Sequence, residues 1–352
     1  MAEAPAHPVP EVTTVADDEV VVHVGAEVRA YRGLAPDTVH DLDGIEVRTL
    51  PRPGGELLAT MATVNDVHFG EVEAGRMDGS GSAGPVLRSA PGEPPYPEVM
   101  NAAAVAEITE LDPAVVLAKG DLTDAGRPEE WARFQEVWAG AFGDRLHAVR
   151  GNHDAMGGHP YGTEGIPELI ELPGAWVAVL DTVIPGTDGG QLDRDQLLWL
   201  DDVAGQAGST GVPLLVFGHH HVWNPDSTQR PVRYFGIQPG DSEALLEVVA
   251  RHPSIRGVFA GHTHRNRVRR FPRHTGEVPF AEVACLKDFP GTWAEYRIFE
   301  GGVLQVHRRL STPEALDWSE RCRAMFGGAY PWYAMGELDD RCFALPDRHG
   351  TP

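Results

Sequence analysis

Cysteine is scarce in this chain of 352 residues. Cys285, Cys322 and Cys342 are the only three, with neither CxxC spacing nor the density of a disulfide scaffold. Buried, idle thiols are the plain reading; a Cys322–Cys342 bridge is the alternative, and an intracellular location argues against it. Long apolar runs are missing too. Trp176 to Leu180 and Val212 to Phe217 are strand-sized, far short of the ~20 residues that span a bilayer. The start, MAEAPAHPVPEVTTVADDEV, has no basic stretch followed by an apolar one, so a cytoplasmic protein without membrane contact is expected. Basic charge is in deficit, with 29 Lys and Arg against 52 Asp and Glu and a net charge of −23. That balance works against binding long nucleic acid and leaves small phosphate esters, where local charge dominates, as partners. Oligomeric state is not encoded legibly, and a homodimer is one assembly the sequence allows.

What is present suits a globular chain: 42% of residues are hydrophobic and 8% aromatic, enough for a sizeable core. Residues 1–18, rich in Pro, Ala and acids, read as a disordered leader. Residues 19–56 read as a small β elaboration of short strands separated by Gly, Pro and Asp. From residue 57 to about 310, short apolar strands alternate with segments of helical period, the rhythm of βαβ units. The expected strands are Leu58 to Val64, Ala114 to Ala118, Leu146 to Val149, Trp176 to Leu180, Val212 to Phe217 and Gly257 to Ala260. Glu98 to Leu111, Pro128 to Ala139 and Leu192 to Val203 are expected as amphipathic helices. Trp131, Phe134 and Trp138 are spaced for a buried helical face rather than a base-stacking platform. Residues 70–97, carrying GSGSAGP and PGEPPYP, interrupt the pattern as a long, lid-like loop. Residues 311–352 are expected to form a C-terminal cap.

Five polar clusters follow these strands: Asn65-Asp66-Val67-His68, Gly120-Asp121-Leu122-Thr123-Asp124, Gly151-Asn152-His153-Asp154, Gly218-His219-His220-His221 and Gly261-His262-Thr263-His264. Each alone is ordinary turn chemistry. Together, at the carboxyl ends of strands in an open α/β sheet, they should converge in space. Imidazole, carboxylate and amide oxygen suit first-row ions such as Mn, Fe, Zn or Co. On an extended backbone Asp66 and His68 would point the same way, as would His262 and His264. Asp121 is placed to bridge two ions, which would bring a shared water into its nucleophilic hydroxide form.

This set of motifs resembles the calcineurin-like metallophosphoesterases, with the cyclic nucleotide phosphodiesterase and glycerophosphodiesterase-type branch nearest; the likeness covers about residues 58–300. It implies a four-layer α/β/β/α sandwich of two mixed sheets and two metal ions, Mn or Fe foremost. Carried over, Asp66, His68 and His264 would hold one ion, Asn152, His219 and His262 the other, and Asp121 both. His153 matches the non-ligand histidine beside the phosphate, a candidate general acid. One departure is that His219-His220-His221-Val222 stands where relatives read His-His-Pro-Pro, so His220 or His221 competes with His219 as ligand. The other is the 70–97 insertion. Asp124 and Asp154 are read either as orienting ligand histidines or as caps. Asn152, His153, His220, Arg127 and Arg265 are candidate substrate contacts, and His159, Tyr161, Trp223 and Asn266 also lie near motifs. The expected activity is hydrolysis of small phosphodiesters such as a cyclic nucleotide or a glycerophosphodiester. A phosphomonoesterase or nucleotide pyrophosphatase, a nuclease, and a non-catalytic metal-binding scaffold are the competing readings.

Overall fold

The computed structural model describes residues 9–76, 84–158 and 167–346. Two six-stranded mixed sheets face each other. The first runs Phe343–Pro346, Gly302–Arg309, Thr292–Phe299, Leu57–Val64, Val115–Lys119, Leu146–Val149; its last three strands are parallel. The second runs Arg267–Phe271, Gly276–Glu282, Ile255–Ala260, Leu214–Phe217, Ala175–Val179, Glu168–Leu172, with four parallel strands between antiparallel edges.

Side chains of a strand alternate between its two faces, and that period builds the layers. Val115 and Leu117 turn inward, to a core shared with Val177, Val179, Leu215, Phe217, Phe259 and Tyr296. Val116 and Ala118 turn outward, onto Met100, Ala104 and Ile108 of the helix Tyr96–Leu111. On the far side, Ala178, Leu214 and Val216 meet Leu200 and Val203 of the helix Arg194–Thr210, and Leu245 and Val249 of the helix Pro239–Arg251. The result is a four-layer α/β/β/α sandwich. Phe134 and Trp138 lie in the first-sheet core as their spacing predicts, each contributing ~1.5–3 kcal/mol by burial. The helix Pro128–Phe134 continues through a π-helical turn, Gln135–Ala139, that accommodates Trp138. Asp193 caps the helix Arg194–Thr210, its side chain accepting from Gln196 N at 2.8 Å.

Three features differ from expectation. Residues 1–8 of the expected leader lie outside the described residues, but Glu11–Val15 is a strand paired antiparallel with Glu19–Val24. Its β-branched run Val12-Thr13-Thr14-Val15 favours a pleated surface, and Thr14 Oγ1 donates to His307 O at 2.8 Å, tying it to the main sheet. Of residues 70–97, 77–83 lie outside the described residues. The flanks are pinned: Ala74 and Leu87 exchange backbone hydrogen bonds of 3.0 and 2.9 Å. The segment from 311 is more than a cap, because Phe343–Pro346 pairs with Gly302–Arg309 at the edge of the first sheet. The alternative Cys322–Cys342 bridge is not formed, and all three thiols are free and buried. Among the described residues no helix is long and apolar enough to cross a membrane.

Candidate metal centre

The parallel strands of both sheets carry their polar clusters to one rim. Asp66 and His68 follow Leu57–Val64, Asp121 follows Val115–Lys119, Asn152 and His153 follow Leu146–Val149, His219 follows Leu214–Phe217, and His262 and His264 follow Ile255–Ala260. Donor atoms gather in overlapping groups: Asp66, His68 and His264; Asp66, Asp121 and His219; and His219, His220 and His262, the atoms of each group lying within 4.8 Å of one another.

Backbone geometry corrects one step of the sequence argument. Neither Asp66 and His68 nor His262 and His264 lie on extended backbone: φ is 53° at Asp66, 45° at His68, 51° at Asp121, 67° at His262 and 52° at His264. Five of the seven expected ligands therefore adopt the left-handed conformation, uncommon outside glycine and concentrated at functional sites. His262 and His264 fall in different donor groups, whereas Asp66 and His68 share one. Glycines before Asp121 and His262, and Gly151 beside Asp121, leave room for the turns there. A Cβ on Gly120, itself at φ 85°, would come within 2.5 Å of His219 Nδ1, and one on Gly151 would run into Asp121.

His219 Nδ1 donates to Lys119 O at 2.8 Å, which leaves Nε2 bare unless the ring is protonated. That Nε2 stands 3.2 Å from Asn152 Oδ1 and 3.3 Å from Asp121 Oδ2. Asp121 Oδ2 also lies 3.6 Å from His68 Nε2, so one oxygen reaches toward both halves of the cluster, while Oδ1 accepts from His153 N at 2.9 Å. Asp66 Oδ2 accepts from Asn65 Nδ2 at 2.6 Å and His262 N at 3.0 Å. Its Oδ1 has no hydrogen-bond partner among the described residues and stands 3.3 Å from His264 Nε2. Nε2 of His68, His220 and His262 are likewise buried without a partner. Buried polar atoms in such numbers need an explanation, and a cation among acceptors supplies one. The donor set, imidazole with carboxylate and amide oxygen, fits divalent or trivalent first-row metals.

Titration follows the same logic. Burial drives His68 and His262 well below the ordinary histidine value, with nearby Lys287 and His220, respectively, adding to it; the neutral imidazole is the ligand form. Burial alone would also lower His219, but the charge of Asp121 and its contact lift it to about 9. Asp121 is pushed up by burial yet held well below the usual carboxylate range by His219 and His153. The carboxylates at the centre thus draw in positive charge.

Around the centre, Asp154 does neither of the jobs read from sequence. Its carboxylate accepts from Thr123 N at 2.8 Å, Thr123 Oγ1 at 2.7 Å, Leu122 N at 3.1 Å and Gly151 N at 2.7 Å. It staples the Asp121 loop to the Asn152 loop, and burial, followed by the charge of Asp121, raises it to about 6. The Asp124 carbonyl accepts from His153 Nδ1 at 2.5 Å, so the other ring nitrogen of His153 is left to face its surroundings.

Several candidate contacts are engaged elsewhere. Arg127 pairs with Glu130 at 3.1 Å in a helix-start capping box. Arg265 pairs with Glu282 at 3.0 Å and lies over the Tyr333 ring. His220 Nδ1 meets Thr182 Oγ1 at 2.8 Å, and His221 Nε2 meets Tyr234 Oη at 2.9 Å. Asn266 holds backbone of residues 284 and 334–335, and Trp223 is buried. His159 and Tyr161 lie outside the described residues. Sequence reasoning missed Asn65, which orients Asp66, and the two lysines. Lys119 and Lys287 are the chain's only lysines, both buried; burial lowers Lys119 to about 7, and Lys287 grips Glu71 with contacts of 2.5 and 2.6 Å. Their rarity was the available signal.

Comparison with known proteins agrees with this geometry. A probable cyclic nucleotide phosphodiesterase of Synechococcus is 30% identical over 171 residues, 47% of this chain. The 3′,5′-cyclic adenosine monophosphate phosphodiesterase CpdA of Pseudomonas aeruginosa is 28% identical over 183 residues, 51% of this chain. The chain spans 63% of the length of each of these two relatives. A glycerophosphodiester phosphodiesterase, GpdQ of Enterobacter lignolyticus, is 26% identical over 50% of this chain and 65% of its own length. Among solved structures, a dimetal phosphatase from Danio rerio shares the fold with a TM-score of 0.56 at 15% identity, over 72% of this chain and 97% of its own. Residues 60–266 match the model of one family, described as calcineurin-like phosphoesterase, and with that match, the two facing sheets and the rim of converging ligands, the chain belongs to the calcineurin-like phosphoesterase family.

Proposed function

We propose that this protein is a dinuclear metal-dependent hydrolase of small phosphodiesters. The observation that carries the reading is Asp121 Oδ2, set 3.6 Å from His68 Nε2 on one side and 3.3 Å from His219 Nε2 on the other, one carboxylate oxygen between donor atoms of the two candidate sets. Asp66, His68 and His264 would hold one ion and Asn152, His219 and His262 the other, with Asp121 common to both; Mn and Fe are the first candidates, Zn and Co the next. Two bound cations would neutralise phosphate charge and supply a more acidic water at neutral pH.

The chain's own residues do the rest. Asn65 and the backbone of His262 fix the Asp66 carboxylate, and Asp154 fixes the loop that presents Asp121. His153, with Nδ1–H anchored on the Asp124 carbonyl, holds a proton at Nε2 for the departing oxygen. Diesters rank first among substrates because the relatives above are named for cyclic nucleotides and a glycerophosphodiester. The deciding experiment measures metal content of the purified protein, then hydrolysis of phosphomonoesters, linear diesters, cyclic nucleotides and pyrophosphates with Mn, Fe, Co or Zn added. Two metals per chain and highest kcat/KM on a diester are expected. Bound metal without turnover of any class would move the protein to the scaffold reading.

A further inference from the structure

Two aromatic side chains from distant parts of the chain are anchored to the same ligand-bearing loop. Phe235, between the strand Leu214–Phe217 and the helix Pro239–Arg251, lays its ring 4.0 Å from that of His262, tilted by 31°. Tyr333, in the helix Tyr330–Met335, donates its hydroxyl to Thr263 O at 2.8 Å. Neither ring is buried: Phe235 is 47% and Tyr333 38% exposed. Exposed aromatics are unremarkable singly; here one covers a candidate ligand and the other holds the residue between His262 and His264. The segment carrying Phe235 is fixed, since Ile237 N donates to His221 O at 2.8 Å and Gly190 N to Gly236 O at 2.7 Å. Arg265 sets its guanidinium over the Tyr333 ring, 5.2 Å from its centre. His264, a quarter exposed at its side chain, opens the centre toward solvent.

A rigid aromatic face with an arginine plane beside a phosphate-hydrolysing centre has the chemistry that receives nucleobases, since every base offers a π face to stack on. We propose that Phe235, flanked by Tyr333 and Arg265, forms a nucleobase subsite that selects nucleotide diesters over aliphatic ones. The proposal rests on the phosphodiesterase reading and places substrate selection on residues 234–236 and 330–335 rather than on the 70–97 segment.

The test uses the full chain with metal restored, as wild type, Phe235→Ala and Phe235→Trp. Calorimetry gives Kd for adenosine monophosphate and for inorganic phosphate; kinetics give KM for cyclic AMP and for glycerophosphoethanolamine. In Phe235→Ala, Kd for adenosine monophosphate should weaken about tenfold more than Kd for phosphate, the scale of one base–aromatic stack. KM for cyclic AMP should rise by a similar factor relative to the aliphatic diester, and Phe235→Trp should restore both ratios. Equal losses for the base-bearing and base-free probes, unchanged ratios, or wild type binding adenosine monophosphate no tighter than phosphate would each overturn the subsite. If the loaded wild type hydrolyses no diester, the activity reading fails by itself, and the binding ratios still decide the subsite.

Discussion

The protein buries histidines in two places, and the contrast shows what makes a metal site. At the rim, burial drives His68 and His262 neutral, their Nε2 atoms have no partner among the described residues, and they belong to donor groups with Asp66 and His264 and with His219 and His220, respectively. Where the N-terminal sheet meets Gly302–Arg309, His23 and His307 are equally buried and neutral, each also with an Nε2 lacking a partner among the described residues. Burial, then the charge of Arg309, lowers His23 to about 3; burial, then Arg341, takes His307 well down. Their other nitrogens are occupied by Thr13, at 2.8 Å from His23 and 3.0 Å from His307. Burial is common to both clusters. The surroundings differ: the carboxylates of Asp66 and Asp121 reach into the rim cluster, whereas Arg309 and Arg341 are the leading charged neighbours of the interface pair.

The contrast is broken most directly at Asp121. Asp121→Ala should lose at least one metal, and turnover should fall by more than the ~10–100-fold typical of losing a group that only supports a ligand. Two metals per chain at near-normal rate, measured by elemental analysis and steady-state kinetics, would remove Asp121 from the shared position.

His153 sharpens the comparison from inside the rim, as a histidine expected to coordinate nothing. His153→Ala should keep both metals and slow an alkyl or ribose diester by ~10²–10⁴-fold, the usual contribution of a general acid. A p-nitrophenyl ester, whose leaving group needs no proton, should slow much less. Equal losses would point to stabilisation of phosphate charge instead, and loss of metal would overturn the ligand assignment.

The smallest effect belongs to the interface cluster. His23 falls from an ordinary 6.5 to about 3 in the folded protein, so between those values the unfolded chain binds a proton that the folded one refuses. Its contribution to stability is whole above pH 6.5 and drains away as pH falls toward 3, by up to ~1.4 kcal/mol per pH unit. In urea titrations of metal-free protein at pH 7.5 and 5, His23→Gln should lose less stability between the two than wild type. Identical losses would show that this histidine is not the acid-sensitive element.

Much of this was readable in one dimension. The motifs sit where apolar strands end, so chain order alone put Asp66, Asp121, Asn152, His219 and His262 at one rim. The strands Arg267–Phe271 and Glu168–Leu172 were hidden because arginine- and glutamate-rich edge strands carry little hydrophobic period. Glu11–Val15 was hidden by the proline-rich stretch before it. Extended-backbone reasoning paired His262 with His264, and a left-handed φ at each undid it. Arg127 sits beside a motif in sequence, but Glu130 claims it. Phe235 and Tyr333 belong to no motif; tertiary contact alone brings them to the Gly261–His264 loop.

The left-handed turns at Asp66, His68, Asp121, His262 and His264 set the terms on which this rim can change. A left-handed residue with a Cβ costs roughly 1–2 kcal/mol relative to glycine, so glycine would relieve the backbone at every one of these positions and remove a ligand each time. Selection for a sturdier fold and selection for a working centre therefore pull in opposite directions at the same five residues.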